Sequence, residues 1–284
     1  MNRLSAFKVN RSHWLNRDLE SWWLNLPNGQ DGGGPVFRDL MRRNDAALTN
    51  MDASDWTGAG GRPGGYGAIE VDGLTEYVSV PSAVVAGVPA TMGGWAKVNT
   101  IGAEIYTLFA MGTAASATDI LRLYVQTNGA FDRYATQQYD GSTAGDAFST
   151  TPVVANVGTW MHLLAVFTSD SSRTIYVNGV AEDTDTTAVT ALTTQDYTQF
   201  GRLDWGGGPI QFFEGWIDDV RIYDRALSAQ EVSALYRESK AGYPRALAWQ
   251  RPGVYLPVAA PAGGPIAGRH YPRGVMRGEL RGVV

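Results

Sequence analysis

The sequence predicts an all-β protein, a two-sheet antiparallel sandwich with one short capped helix towards the C-terminal end and extended arms at both termini. Three observations carry that expectation: many short segments alternate apolar and polar residues with period two, turn residues recur at short intervals, and a strand runs into a capped helix within residues 212–236. The chain has 34 Gly and 13 Pro, with 44% hydrophobic and 18% charged residues. That balance suits many short strands joined by tight turns.

Residues 1–12 are expected to be an arm. Residues 13–26 bring Trp14, Trp22, Trp23, Leu24 and Leu26 into an entering strand, and PNGQDGGGP at 27–35 is a turn-rich loop. A glycine cluster, GAGGRPGGYG at 58–67, supplies backbone with positive φ. Ile69 and Val71 then alternate with Glu70 and Asp72, and Tyr77, Ser79 and Pro81 continue the pattern, which predicts two strands across an Asp-Gly turn. Further strands are expected at 92–98, 105–112, 120–126, 160–167 and 174–180. Asn128-Gly129 and Asn178-Gly179 each predict a type I′ hairpin turn. Asp140-Gly141 is a weaker signal, because residues 132–151 are polar and resemble a long loop.

The segment GWIDDVRIYDRALSAQEVSALY, residues 215–236, is the most informative. Strict alternation puts Asp218 on one face with Val220 and Ile222, and Ile217, Asp219, Arg221 and Tyr223 on the other. An aspartate in line with core residues must be paired. Ser228 is then a helix N-cap, Glu231 completes a capping box, and Leu227 with Val232 forms a hydrophobic staple. Val232, Leu235 and Tyr236 give the helix its apolar face.

Charge is unevenly spread. Residues 239–284 hold seven basic residues against Glu279 alone, a net of +6, which leaves −11 on residues 1–238 from a total of −5. A basic tail on an acidic body points to an electrostatic partner for the tail, and the acidic body argues against wholesale nucleic-acid binding. With no cysteine, redox chemistry is excluded and nothing marks an oxidising compartment. The first residues lack the apolar stretch of a secretory signal, and no run approaches the length that spans a bilayer. The expectation is a protein made without an export signal or membrane insertion.

The 215–236 segment resembles the closing segment of laminin G-like jelly-roll domains of the concanavalin A-like lectin/glucanase superfamily. Three further stretches agree in order and spacing: AIEVDGLTEYVSVP at 68–81, similar to the family's early hairpin, MGGWAKV at 92–98, and VGTWMHLLAVFTSDSSRTIYVNGV at 157–180. The resemblance implies a concanavalin A-like jelly-roll body over 13–238, between an N-terminal arm at 1–12 and a basic Gly/Pro-rich arm at 239–284. It also implies a fold whose members bind glycans, proteins or other ligands, often with a calcium ion, and are usually not enzymes by themselves. SWWLNLPNG and FRDLMRRNDAALTNM resemble phage-associated members more than secreted bacterial ones.

Calcium is the one cofactor this resemblance suggests, and none is required; Asp72, Glu76 and Asp218 fall where the family places an ion or a buried aspartate. The plainer alternative, which we favour, is that Asp218 accepts N–H bonds from the turn around Asp72 and Gly73. Glu70, Asp72 and Glu76 also match a spacing that resembles one group of retaining glycosidases. Gly73, however, would carry Glu76 onto the next strand, whereas retaining chemistry needs two carboxyl groups on one face. No catalytic residue is assigned. His162 is read as structural, and Trp95 and Trp160 as core. Sugar binding in such folds uses exposed aromatics, so Trp56, Trp205 and Phe212, which lie in or beside loops, are the ligand-binding candidates. In the basic arm, Arg245, Trp249, Arg251, Tyr255, Arg269, Tyr271 and Arg273 interleave rings and cations. A solvated linker is the bland alternative to an arm that orders on a partner.

The function expected from these readings is that of a non-enzymatic phage virion protein, a capsid decoration, head-fibre or tail-associated subunit with a lectin-like outward domain. Its partners would be capsid or other virion proteins and further copies of itself, with a glycan or host surface as ligand. The alternatives are a carbohydrate-binding adhesion module at a bacterial cell surface and a glycoside hydrolase.

Overall fold

A computed structural model describes residues 7–25, 36–57, 61–65, 67–242 and 247–249. Among these, the strands in chain order are β1 (Phe7–Val9), β2 (Leu19–Trp23), β3 (Val36–Phe37), β4 (Ala46–Thr49), β5 (Trp56–Thr57), β6 (Ala68–Asp72), β7 (Tyr77–Val80), β8 (Ala90–Val98), β9 (Ile105–Thr113) and β10 (Thr118–Gln126). They continue with β11 (Arg133–Tyr139), β12 (Ala144–Phe148), β13 (Trp160–Ser169), β14 (Ser172–Val177), β15 (Val180–Asp185), β16 (Tyr197–Phe200), β17 (Leu203–Trp205), β18 (Gly208–Ile210) and β19 (Glu214–Tyr223). The helix α1 (Ala229–Lys240) and the strand β20 (Leu247–Trp249) follow.

Sheet one has the order β12-β11-β10-β9-β16-β7-β4-β3, and sheet two the order β15-β14-β13-β8-β19-β6-β5 with β2 also paired to β19. Neighbours run antiparallel in both. Two short ribbons, β1-β20 and β17-β18, complete the described structure. The sandwich expected from period-two patterning is therefore present. Inward residues of β9 and β10 (Phe109, Met111, Leu121, Leu123, Val125) share one core with those of β8 and β13 (Met92, Ala96, Val98, Leu163, Ala165, Phe167). Phe200 meets Trp23 and Phe109 edge-on, with centroids 5.0 and 5.8 Å away. Each buried Val, Leu, Met or Phe among them contributes about 1.5–3 kcal/mol.

A second apolar layer lies outside sheet two. Leu164, Val166, Tyr176 and Tyr223 pack there against Leu227, Val232 and Leu235, together with Leu15, Leu19 and Trp22. The helix forms as expected: Ser228 accepts from the Glu231 N–H while the Glu231 carboxylate accepts from the Ser228 N–H. It runs to Lys240, two residues past the expected end of the body at 238. Gly93 shows why β8 carries a Gly-Gly pair. Its φ is +149°, and a Cβ there would stand 2.1 Å from the Leu163 carbonyl oxygen.

Several local expectations are corrected. Asn178-Gly179 has positive φ at both positions and closes the β14–β15 hairpin as predicted. Of Asn128 and Gly129 only Gly129 has positive φ, and the β10–β11 connection spans six residues, 127–132, instead of two. Residues 132–151 are no long loop: β11 and β12 pair there, and the Asp140 carboxylate accepts the N–H groups of Ser142 and Thr143 in the turn. The segment 68–81 is not a hairpin either. β6 pairs with β5 and β19 in sheet two, whereas β7 pairs with β4 and β16 in sheet one. The chain crosses the sandwich there, held by Asp72 Oδ1, which accepts from the N–H groups of Leu74, Thr75 and Glu76.

The expected facing of β19 is also overturned. Register slips between Asp218, opposite Trp95, and Arg221, opposite Gly93, so β19 advances three residues while β8 advances two. This is a β-bulge, with Asp219 at φ +56°. It keeps Ile217, Val220 and Ile222 in the inter-sheet core and turns Asp218 away from it.

Candidate functional site

The outer face of sheet one carries an ordered polar array beside an exposed aromatic pair. Register aligns Asp146 of β12, Gln137 of β11, Arg122 of β10, Ala110 of β9, Gln199 of β16 and Ser79 of β7 in one row across the strands. Because side chains alternate in direction along each strand, this row shares one face. Ala110, in the middle of the row, is buried beneath Tyr197 and Leu203, which separates its two polar ends.

At one end of the row, Arg122 Nε donates to Gln137 Oε1 (2.8 Å), and Gln137 Nε2 donates to Asp146 Oδ1 (2.9 Å). The Tyr124 hydroxyl donates to the same Asp146 oxygen (2.9 Å). Arg122 Nη1 reaches Gln211 Oε1 (2.6 Å), which also accepts from the Thr107 hydroxyl (3.1 Å), and the guanidinium lies 4.4 Å from the Tyr124 ring centroid. At the other end, Gln199 Nε2 donates to Asp204 Oδ2 (2.6 Å) and Arg202 Nη2 lies 3.0 Å from Asp204 Oδ1. The Arg202 guanidinium covers the Tyr77 ring at 3.4 Å.

Arg122, Gln137 and Gln199 are buried, while Asp146, Gln211, Arg202 and Asp204 are half-buried. Buried members thus fix the orientation of those that solvent or a ligand can reach. Burial lowers the Arg122 pKa, opposed by Tyr124 and Asp146, and raises that of Tyr124. Burial also raises Asp146, against the stabilising Tyr124 hydroxyl and the Arg122 charge. Two arginines face two aspartates, so these charges cancel and the array presents oriented donors and acceptors.

Trp205 stands at the tip of the β17–β18 hairpin, 38% exposed, and stacks on Tyr139 of β11 with centroids 5.5 Å apart and planes 15° from parallel. Gly206 and Gly207, both at positive φ, make the tight turn that follows it. Leu203, Tyr197, Ala110 and Ile120 pack beneath as a small cluster, with Tyr139 against it. The stack holds a flat indole face at the edge of the polar array.

Of the ligand-binding candidates, Trp205 belongs to this face. Half-buried Phe212 follows Gln211 directly in the chain. The backbone of Trp56 pairs with Ile69 in sheet two, so the structure does not bring it beside Trp205; its side chain lies outside the described residues. The arm candidates Arg245, Arg251, Tyr255, Arg269, Tyr271 and Arg273 lie outside the described residues, and Trp249 is described only as backbone in β20.

The suggested calcium set is not assembled. Asp72 pairs with Glu214, four residues along β19 from Asp218, a separation of about 13 Å at strand rise. Asp218 is wholly buried and occupied: Oδ1 accepts from the Asn25 N–H (3.0 Å) and Oδ2 from Arg62 Nε (2.8 Å). These partners replace the expected N–H groups of the Asp72 turn. Burial pushes Asp218 up to about 7 despite the Arg62 charge. Neighbouring Asp219 accepts from Trp22 Nε1 (2.7 Å) and Arg221 Nε (3.0 Å). Among the described residues no three His, Cys, Asp or Glu side chains are grouped to hold a metal ion. His162 is buried edge-on against Trp95, with its pKa pushed down to about 3 by burial and the charges of Arg221 and Arg62. Trp160, expected in the core, is half-buried at the start of β13.

The family model of the concanavalin A-like lectin/glucanases superfamily matches residues 72–233. Domain 4 of AbnA, a GH43 extracellular arabinanase from Geobacillus stearothermophilus, solved in complex with arabinotriose, superposes with a TM-score of 0.55 at 17% identity, over 81% of this chain and 99% of that domain. Trypanosoma rangeli sialidase in complex with sialic acid gives 0.55 at 14% identity, over 78% of this chain and 33% of the sialidase. The receptor binding domain of botulinum neurotoxin C/D mosaic serotype gives 0.56 at 12% identity, over 78% and 51%. At these identities the likeness is one of fold. No curated protein sequence matches the chain.

Proposed function

The chain belongs to the concanavalin A-like lectin/glucanase superfamily, and from that premise we propose that it is a non-enzymatic glycan-binding protein whose ligand docks on the Trp205 face. The observation that carries this reading is the half-exposed Trp205–Tyr139 stack at the edge of a prearranged amide, carboxylate and guanidinium array. An indole face packs on the C–H face of a pyranose or furanose, while planar polar groups pair with its hydroxyls. Asp146 and Asp204 are each engaged by an amide and by a phenol or an arginine, which suits holding a ligand more than transferring protons. The sugar complexes solved for AbnA domain 4 and the sialidase are in keeping with a carbohydrate ligand.

The test is a panel of neutral and sialylated oligosaccharides, arabinotriose included, assayed for binding and for turnover. Binding without product is expected. Trp205→Ala should weaken it at least tenfold, since losing a central aromatic anchor costs about 2 kcal/mol. Binding to nothing on the panel, or full affinity in Trp205→Ala, would overturn the assignment, and product release by the wild type would overturn the non-enzymatic part.

The finer reading is a structural subunit of a phage virion, of phage-associated laminin G-like type, with the glycan-binding body outward. The charge contrast between residues 239–284 and the rest of the chain favours it, as does the pairing of β1 with β20, which joins residues of the two terminal arms. Mass spectrometry of purified particles decides: the chain should be present, and deletion of residues 251–284, which spares α1 and β20, should leave a folded body that no longer attaches. Absence from particles would return the adhesion-module alternative.

A further inference from the structure

Strand β11 sets Tyr139, Gln137, Ala135 and Arg133 in one line on the outer face of sheet one. Tyr139 bears Trp205, and Gln137 belongs to the polar row. Arg133 ends the same line, six residues from Tyr139 and about 20 Å away at strand rise. Phe148 of β12 stands opposite Ala135, and Gln126 of β10 opposite Arg133. The connections at this end, 99–104, 127–132 and 149–153, all belong to the described residues.

Arg133 is held in place there. Gln126 Oε1 accepts from its Nε (3.0 Å) and Nη2 (2.8 Å), and the ring centroids of Phe148 and Phe131 lie 3.4 and 4.0 Å from the guanidinium carbon. These contacts take one edge of the guanidinium and its flat surface. The other edge, Nη1 with the second N–H of Nη2, keeps its donors. Arg133 is half-buried, with no polar atom sealed away from solvent without a partner, and Phe131 beside it is 46% exposed, so that edge is open to a ligand. Charge sets Arg133 apart from its neighbours. Arg122 reaches Asp146 through Gln137, and Arg202 pairs with Asp204, whereas among the described residues no carboxylate forms an ion pair with Arg133. The adjoining Asp132 is occupied, its Oδ1 accepting from the N–H groups of Val153 (2.7 Å) and Val154 (2.8 Å).

We propose that Arg133 is the specificity-determining residue of the Trp205 face, and that the glycan it selects is a linear oligosaccharide laid along β11 and ending in a carboxylate-bearing sugar. The inference rests on the Trp205 face being a glycan site and adds the class of glycan. A planar carboxylate matches the two parallel donors of the free guanidinium edge. Because Gln126 and the two rings already fix the side chain, binding costs it little further freedom. The body as a whole is strongly acidic, which disfavours a polyanion; a single terminal carboxylate meets a single unpaired cation.

Isothermal titration calorimetry tests it with linear tetra- to hexasaccharides ending in a sialic or uronic acid, each beside its carboxyl-reduced form, so that the members of a pair differ only in the carboxylate. At least one acidic member should bind wild type about tenfold tighter than its reduced form, the effect of a charge-assisted hydrogen-bonded pair. Arg133→Gln should bring that ligand down to the affinity of the reduced form and leave the reduced form unchanged. Arg133→Lys, which keeps the charge without the fork, should fall between, and Trp205→Ala should weaken both members alike. Binding without preference for the acidic member, or a preference that survives in Arg133→Gln, overturns the inference and leaves the glycan site standing; binding of no member of any pair overturns both. The wild-type comparison and the lysine variant keep the test decisive if Arg133→Gln fails to fold.

Discussion

Arg62 is a small contact surface with a large consequence. Its guanidinium faces Asp218 and Asp219 in a fully buried cluster that also holds Arg221 and Trp22. Removing one partner of a buried ion pair leaves a charge with no solvent to compensate it. Arg62→Ala is expected to cost about 3–5 kcal/mol in urea unfolding, whereas Arg38→Ala, which breaks the exposed pair with Asp45, should cost less than about 1 kcal/mol. Equal costs would mean that the cluster is solvated. Neither Arg62 nor its aspartate partners could be matched from the sequence, because Arg62 sits in a glycine-rich stretch 156 residues from Asp218.

Glu76 provides a titration at the same scale. Burial, then repulsion from Asp55, Asp72 and Asp52, raises its pKa from 4.5 to about 7. The folded state holds that proton more tightly than the unfolded chain, so its contribution to stability is full below pH 4.5 and is lost as pH rises through 7. The side chain is only half-buried, so the loss should not exceed about 1 kcal/mol. Glu76→Gln should remove it, seen as the difference between wild-type and variant urea midpoints at pH 5 and pH 8; that difference isolates Glu76 from Asp218 and His162. A difference that does not change with pH would contradict the shift.

Among elements, the start of α1 was legible because its signals are local: a cap, its reciprocal Glu231 and a staple lie within six residues. Ser228→Ala should cost about 1 kcal/mol by thermal or urea unfolding, and no loss would mean that the capping box is not formed. Most strands were legible for the same reason, since alternation is written along the chain. What alternation could not supply is partner choice. β6 and β7 look like a hairpin across Asp72-Gly73 but enter different sheets, and the bulge at Asp219 reverses the phase of β19. Both outcomes depend on which strands lie alongside, a non-local matter that no window of residues contains.

The same limit governs the sites at the scale of the whole molecule. Trp205 drew notice through its loop, with glycines after it, but its Tyr139 platform and the Arg122–Gln137–Asp146 row exist only once β10, β11 and β12 are in register. Trp160 looked like core because it opens an apolar strand. Sheet register instead sets it half-buried at the end of sheet two away from α1, in line with Lys97 and Trp216. The fold thus presents on sheet one a charge-balanced hydrogen-bonding array beside one aromatic platform.

Tryptophan indole N–H signals in a two-dimensional NMR titration report on this face directly. Trp22, Trp23 and Trp95 are buried and serve as internal references, and each signal is assigned by its phenylalanine variant. Titration with an oligosaccharide that binds should move the Trp205 signal first and most, while the three buried indoles stay in place. Saturable binding that leaves Trp205 unmoved would contradict a glycan site on the Trp205 face.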